Sequence, residues 1–442
     1  MTAYLNSMRF RKLAPNTQIS YVTDYRLFFD FLWRRKESRW LDATEFDIED
    51  FEDWRRRAKD NPRPVGGSKW MRELAALKKL YDWAVRKRLI EASPLATVFV
   101  RGRDGERIEV LEAAASDVQR TNVKWLTPRM ARVWRDVGLR GFSAAGLADD
   151  SFRGRTGDRN AAFFDLLWDS GLRRAEGGSL LVSELPRIDG PKDHVWGRVA
   201  RAVAKNRSGR EFAVTKTTLS RIRAYSETSR AAAVRSAQQN GRYERVRNKR
   251  IVVQTGESAR GATVQSVDEE TGEVRASLVD NLSVAERAKL FVRSEHGLEP
   301  MWLWLSESGL PFKPHSWEEV FAAGSRRCLA VLGSEAPRCT PHMARHSFAL
   351  IMLVALTYAF DERYGLTPEQ RRDFALIYKH PYRMVKDLLG HRSEKTTRDV
   401  YLVPVQGVEI RSLLGGDSEY GNAFLQALAA ASPTMKDWPD EQ

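Results

Sequence analysis

The sequence predicts a mainly helical protein with a small β-sheet, an α+β chain in two domains, and three observations carry that prediction. Apolar residues recur at helical spacing over long stretches near both ends of the 442-residue chain. Two stretches alternate in strand fashion instead, HVWGRVARAV at 194 to 203 and VQSVDEETGEVRASLV at 264 to 279. Between 100 and 126 the apolar rhythm gives way to mixed, charged text, which reads as a linker.

Taken in order, NTQISYVTDYRLFFDFLWRR (16 to 35) sets Ile19, Val22, Tyr25, Phe28, Phe29 and Leu32 on one helical face after a capping Asn16 or Thr17. A second helix is expected from about Asp47, with Ile48, Phe51 and Trp54, and must stop before Pro62. A third follows Gly66, Gly67 and Ser68 and buries Trp70, Leu74, Leu77, Tyr81 and Ala84, leaving Lys69, Arg72, Lys78 and Lys79 at the surface. Pro94 closes this helical domain, expected over 1 to 99.

A second domain is expected over 127 to 415, with helices at 127 to 137 and 158 to 170. The alternating HVWGRVARAV and EFAV are then joined by the turn AKNRSGR. From about 225 to 296 the text is polar and reads as an inserted segment, with a hairpin folded around Glu-Thr-Gly. Apolar helical patterning is read again at MWLWL and WEEVFAAGSRRCLAVL, and through 342 to 360. Residues 416 to 442 are left as a C-terminal tail.

The charge balance, 72 Lys and Arg against 58 Asp and Glu, gives a net +14 and makes a polyanion the natural partner. The excess is concentrated: residues 201 to 250 hold 14 basic and 3 acidic side chains, and residues 51 to 100 hold 12 and 6. Those windows are where a phosphate backbone is expected to be gripped. With only Cys328 and Cys339 present, neither a disulfide framework nor a Cys-rich metal site is available, which suits a reducing cytoplasm. The first twenty residues lack the apolar core of a signal peptide, and the apolar run at 348 to 360 is too short to span a bilayer.

Four clusters place unusual polar residues in apolar surroundings: SGLRRAEGGSLLVSEL (170 to 185), AKNRSGREFAV (204 to 214), TPHMARHSFA (340 to 349) and LLGHRSEKTTRDVY (388 to 401). Together they supply Arg173, Lys205, His342, Arg345, His346, His391 and Tyr401. Such a set suits a phosphodiester. Guanidiniums bind non-bridging oxygens in bidentate fashion, histidine donates or moves a proton, lysine protonates a leaving alkoxide, and tyrosine can attack phosphorus. Singly, each has a plainer reading: Arg173 as a surface charge, Lys205 as a solvated turn residue, His346 as a hydrogen-bonded core histidine, Tyr401 as a packing residue. His342 and His346 stand at i, i+4, but HMARH lacks the glutamate of a HExxH zinc motif, so no metal is expected.

In this order the clusters resemble those of the tyrosine recombinases, or phage-type integrases. GLRRAE is similar to the family's first arginine box, with Arg173 as catalytic arginine and Glu176 beside it. AKNRSGREFAV resembles the hairpin whose turn lysine, here Lys205, is the general acid. PHMARHSFA matches the His-x-x-Arg-His box through His342, Arg345 and auxiliary His346, and LLGHRSEKTTRDVY the last box through His391 and the nucleophile Tyr401. Residues 16 to 94 resemble the helical core-binding domain.

The resemblance implies a core-binding, DNA-clamping domain and a catalytic domain that cuts and rejoins strands through a 3'-phosphotyrosine. It requires no cofactor and no metal. Its implied partners are double-stranded DNA at recombination sites, further copies of the chain in a tetramer, and directionality or accessory proteins; no membrane is involved. Lys69, Arg72, Lys78, Arg207 and Arg210 are the expected DNA contacts. Gly177 and Gly178 are expected to interrupt the helix behind Arg173. Two alternatives stay open on the residues alone: a relaxing topoisomerase of the same chemistry, and a DNA-binding protein of this fold that performs none.

Overall fold

The computed structural model describes residues 1–101, 106–118, 124–188, 190–358, 381–391 and 435–436. The chain divides into two compact units, Met1–Asn122 and Val123–Gln442. As the sequence predicts, it is mainly helical with small sheets. Among the described residues no helix is long and apolar enough to cross a membrane.

In the N-terminal unit, two short turns of helix (Thr2–Leu5 and Met8–Arg11) precede α1 (Pro15–Lys36), α2 (Glu45–Arg56) and α3 (Gly67–Arg86). Helix α1 starts with Pro15 in its first turn rather than with an Asn16 or Thr17 cap, since a proline there gives up no intrahelical bond. Its buried face also differs from the expected one. Tyr21, Tyr25, Phe28, Phe31 and Leu32 are inside, whereas Ile19 and Val22 are 66% and 42% exposed. Turning the helix this way buries four aromatic rings, which remove more apolar surface from water than Ile19 and Val22 would. Helix α2 begins at Thr44, whose backbone N–H donates to Asp47 in a capping box. In α3 the expected set Trp70, Leu74, Leu77, Tyr81 and Ala84 is buried throughout.

The stretch read as a linker is partly structured. Strands β1 (Thr97–Arg101) and β2 (Arg107–Leu111) form an antiparallel hairpin in which Val98 faces Val110 and Val100 faces Ile108. These β-branched pairs are a local strand signal that the surrounding charge obscures. Beyond it Trp70 Nε1 donates to Ala113 O at 2.7 Å, tying the chain back to α3.

The second unit opens with β3 (Trp125–Leu126) and α4 (Pro128–Val133), which runs on into a π-helical turn, Trp134–Leu139. Helix α5 (Gly157–Ser170) lies in the core, and α6 (Arg174–Gly178) follows it after a three-residue turn. Strands β4 (His194–Val199) and β5 (Arg210–Thr215) pair antiparallel, as their alternation predicts, and lead into α7 (Lys216–Tyr225), a π turn Ser226–Arg230 and α8 (Ala231–Gln239).

The polar segment builds a five-stranded sheet of β6 (Arg250–Ser258), β7 (Gly261–Asp268), β8 (Val274–Leu278), β9 (Leu290–Ser294) and β10 (Gly297–Pro300), in the order β10-β9-β6-β7-β8. Its β7–β8 hairpin closes around Glu-Thr-Gly, with Gly272 at φ +71° supplying the left-handed residue the turn needs. The sheet covers a small core that includes Val252, Val264 and Leu290 and also takes in Leu181 and Met301.

Met301–Leu305 is extended, not helical: Trp302 bridges to Leu181 and Leu305 to Pro311. Its carbonyls are claimed by remote groups. Buried Arg230 donates to Pro300 O, Trp302 O and Leu303 O, and Arg159 to Leu305 O, which leaves no helical bonding pattern to form. Helices α9 (Trp317–Leu332), α10 (Pro341–Tyr358) and α11 (Pro381–Leu389) complete the unit, and β11 (Met435–Lys436) pairs parallel with β3.

Candidate active site

Arg173 stands at the N-terminus of α6, placed there by the turn that ends α5. Gly171 adopts φ +61°, and a Cβ on it would lie 2.2 Å from the Phe348 ring, so only glycine fits. The Arg173 backbone N–H donates to Glu176 Oε2 at 2.9 Å, and its Nη1 donates to Glu176 Oε1 at 2.8 Å. Gly177 and Gly178 do not interrupt α6 but lie within it. A Cβ on Gly177 would come to 3.1 Å of Leu167 and one on Gly178 to 3.1 Å of Trp317 Nε1, so the glycines let a buried helix approach its neighbours.

His342, Arg345 and His346 share the first two turns of α10, which Thr340 caps by accepting from Met343 N–H at 3.2 Å. The spacing brings the His342 and His346 rings to 5.8 Å between centroids. Arg345 is 1% exposed and points the other way: Nη1 donates to Gly171 O, Nη2 donates to Leu389 O at 2.5 Å, and Nη2 lies 3.3 Å from His391 Nε2.

His391 follows Gly390, whose φ of +64° ends α11 in a left-handed cap. Three successive carbonyls at this helix end each accept from a different guanidinium: Leu388 O from Arg210 Nε (2.9 Å), Leu389 O from Arg345, and Gly390 O from Arg173 Nη2 (3.3 Å). Cations suit the carbonyl end of a helix.

Lys205 lies in the β4–β5 turn, exposed, followed by Asn206 and Arg207 at φ +61° and +55°. Arg207 is exposed as expected of a DNA contact. Tyr401 lies outside the described residues. A cleft of about 820 Å³ opens beside Arg173, His342 and Arg345, with Arg174 and Arg338 on its walls and Phe321 and Leu329 among its apolar lining.

Of the remaining expected DNA contacts, Lys69 and Arg72 are partly exposed and also pair within their own unit. Arg72 binds the buried carboxylate of Asp24 through both Nη atoms (2.6 and 2.8 Å), and Lys69 Nζ reaches Asp24 and Glu73 at 3.1 Å each. Lys78 pairs one turn on with Asp82 at 3.1 Å and stays exposed. Arg210, also expected on DNA, has a side chain only 8% exposed and is engaged by Glu176. Its signal was in the sequence: alternation in β5 puts it on the face of buried Phe212 and Val214.

The electrostatics lean one way. Glu176, 1% exposed, is pushed up by burial, but Arg210, Arg173 and Arg345 outweigh that and hold it at about 2. Burial, with Arg345, Arg173 and Arg210, depresses His391 to about 3; burial, with His342 and Arg345, depresses His346 to about 3. His342 presents an exposed edge, yet the protein around its ring, and then Arg345, Arg173, Arg174 and Lys205, lower it too. All three histidines are therefore neutral at neutral pH.

A histidine whose folded pKa lies below its unfolded 6.5 contributes stability that is whole above 6.5 and is lost as pH falls toward 3. Asp24 works oppositely: burial raises it from 3.8 to about 6, so its contribution is whole below 3.8 and is lost as pH rises through 6. Lowering the pH from about 7 to about 5 should thus destabilise the C-terminal unit and not the N-terminal one. Hydrogen exchange read separately on peptides of each unit checks this. Equal loss of protection in both would contradict the site's electrostatics.

Residues 2–88 match the family model for the phage integrase N-terminal SAM-like domain. That match covers the N-terminal helical domain and identifies those residues as a domain of this kind. Among curated proteins none matches the chain. Among solved structures it is similar to the Tn1549 transposon integrase in complex with a circular intermediate DNA, at 12% identity and a TM-score of 0.49, covering 90% of this chain and 93% of that one. It is also similar to the XerH site-specific recombinase bound to a difH substrate, at 10% identity and a TM-score of 0.44, covering 88% and 76%. Both scores fall below one half.

Proposed function

We propose that this protein is a tyrosine-type site-specific recombinase, or integrase, which cleaves and rejoins DNA through a 3'-phosphotyrosine. The observation that carries the reading is the convergence of Arg173, Arg345 and His391, from three separated stretches of chain, on one helix end beside a cleft. The integrase domain at the N-terminus favours recombination over simple relaxation.

In this reading the Tyr401 hydroxyl attacks the scissile phosphorus and its proton passes to neutral His342. As the Tyr401 O–P bond forms, the bond from phosphorus to the 5' oxygen breaks, and Lys205 protonates that oxygen. Arg173 and Arg345 neutralise the non-bridging oxygens of the pentacoordinate state, and neutral His391 supplies a hydrogen bond to it. A 5'-hydroxyl of a partner strand then reverses the steps. One phosphodiester is exchanged for another, so no cofactor is part of the scheme. The same reading has four protomers on synapsed DNA, joined by directionality or accessory proteins, acting on the nucleoid in the cytoplasm.

Incubation with a pool of nicked random-sequence duplexes in EDTA should yield an adduct that survives denaturing detergent and is removed by protease. Strict dependence of strand cleavage on a divalent ion would sink the scheme.

A further inference from the structure

We propose that Arg210 is a positioning residue that locks the Lys205-bearing hairpin to both Arg173 and His391, rather than a contact to DNA. The proposal rests on the recombinase reading for what is being positioned, and on the following geometry for the positioning itself.

Arg210 begins β5, five residues after Lys205, and pairs across the hairpin with Val199. Its guanidinium spans two other elements. Nη1 and Nη2 hold the Glu176 carboxylate in bidentate fashion at 3.1 and 2.7 Å, and Nε donates to Leu388 O at 2.9 Å. Glu176 in turn accepts from both the backbone and the side chain of Arg173. The stem lies against Gly390: a Cβ there would fall 2.9 Å from Arg210 Cδ and 3.2 Å from Nε. The residue before His391 therefore has no room for a side chain while Arg210 holds this position. One side chain thus fixes the separation between the turn that carries Lys205, the helix start that carries Arg173 and the helix end that presents His391.

The same facts argue against a phosphate contact. The Arg210 side chain is only 8% exposed and its guanidinium is already paired with a carboxylate held at about 2, so its charge is neutralised within the protein and a phosphate would have to displace Glu176 to reach it. Arg207, three residues earlier and exposed, is better placed in this turn to meet a backbone.

The test compares Arg210→Met, which keeps volume without charge, with Arg210→Lys, which can meet Glu176 but cannot also bridge to Leu388. Adduct formation on the nicked duplex pool should fall about 10- to 100-fold in the methionine variant, the scale of a misplaced catalytic group, and less in the lysine variant. Affinity for a mixed-sequence duplex, and its dependence on salt, should match wild type in both. A salt slope flattened by roughly 0.9 would make Arg210 a phosphate contact and overturn the proposal. A lysine variant equal to wild type would overturn it too, because charge alone would then suffice.

A further readout needs no DNA. The ring titration of His391, followed by NMR in the free protein, should move up from about 3 in the methionine variant, since burial and a repelling charge relax together. If wild type forms no adduct, the recombinase reading fails, and the His391 titration still decides whether Arg210 positions that ring. An unmoved titration refutes the coupling.

Discussion

Tyr401→Phe should abolish covalent attachment to DNA and leave binding nearly unchanged, because replacing tyrosine by phenylalanine removes one oxygen and almost no apolar surface. The phenol is the only protein group in the proposed scheme that bonds to phosphorus, so the loss is of the reaction and not of a fraction of its rate. The measurement is adduct yield on nicked duplexes beside affinity for the same DNA. Undiminished adduct would move the nucleophile elsewhere. Tyr382, half-buried in the first turn of α11, would then be examined first; Tyr378, the other candidate, lies outside the described residues.

Arg345→Ala combines a chemical and a structural loss. Removing a transition-state donor lowers cleavage by roughly a hundredfold or more. Gly171 O and Leu389 O also lose their partner in a site where Arg345 is 1% exposed, and each buried carbonyl left bare costs about 1–3 kcal/mol. The variant should therefore cleave poorly and melt early. Arg173→Ala is the contrasting case: its side chain is 19% exposed, so cleavage should fall comparably with a smaller loss of stability. Parallel thermal melts and adduct assays separate the two. If both variants cleaved at the wild-type rate, the phosphate would have to be held by other groups.

Local features were legible because they depend on neighbours in the chain. The stripe of α3 and the β7–β8 hairpin each follow from side chains a few residues apart and from the geometry of one helix or one turn. The same holds for His342 and His346, whose spacing brings their rings together on α10. Even the inward direction of Arg210 could be read, since β5 alternates and Phe212 and Val214 are apolar.

By itself, then, the sequence determined the α+β class, most helices, the β4–β5 and β7–β8 hairpins and an ordered set of polar clusters suited to a phosphodiester. Only the tertiary structure decided what the charged groups face. Lys69 and Arg72, read from the sequence as surface cations, are also held by Asp24, a buried carboxylate of α1 some fifty residues away. The Met301–Leu305 run has a helical composition but is extended, because Arg230 and Arg159 take its carbonyls. Arg210 sits in the most basic window of the chain and is spent on Glu176 and Leu388. A guanidinium has the same five donors wherever it stands; whether they meet water, a phosphate or a buried acceptor depends on residues that only folding brings near, and desolvation makes that choice costly to undo.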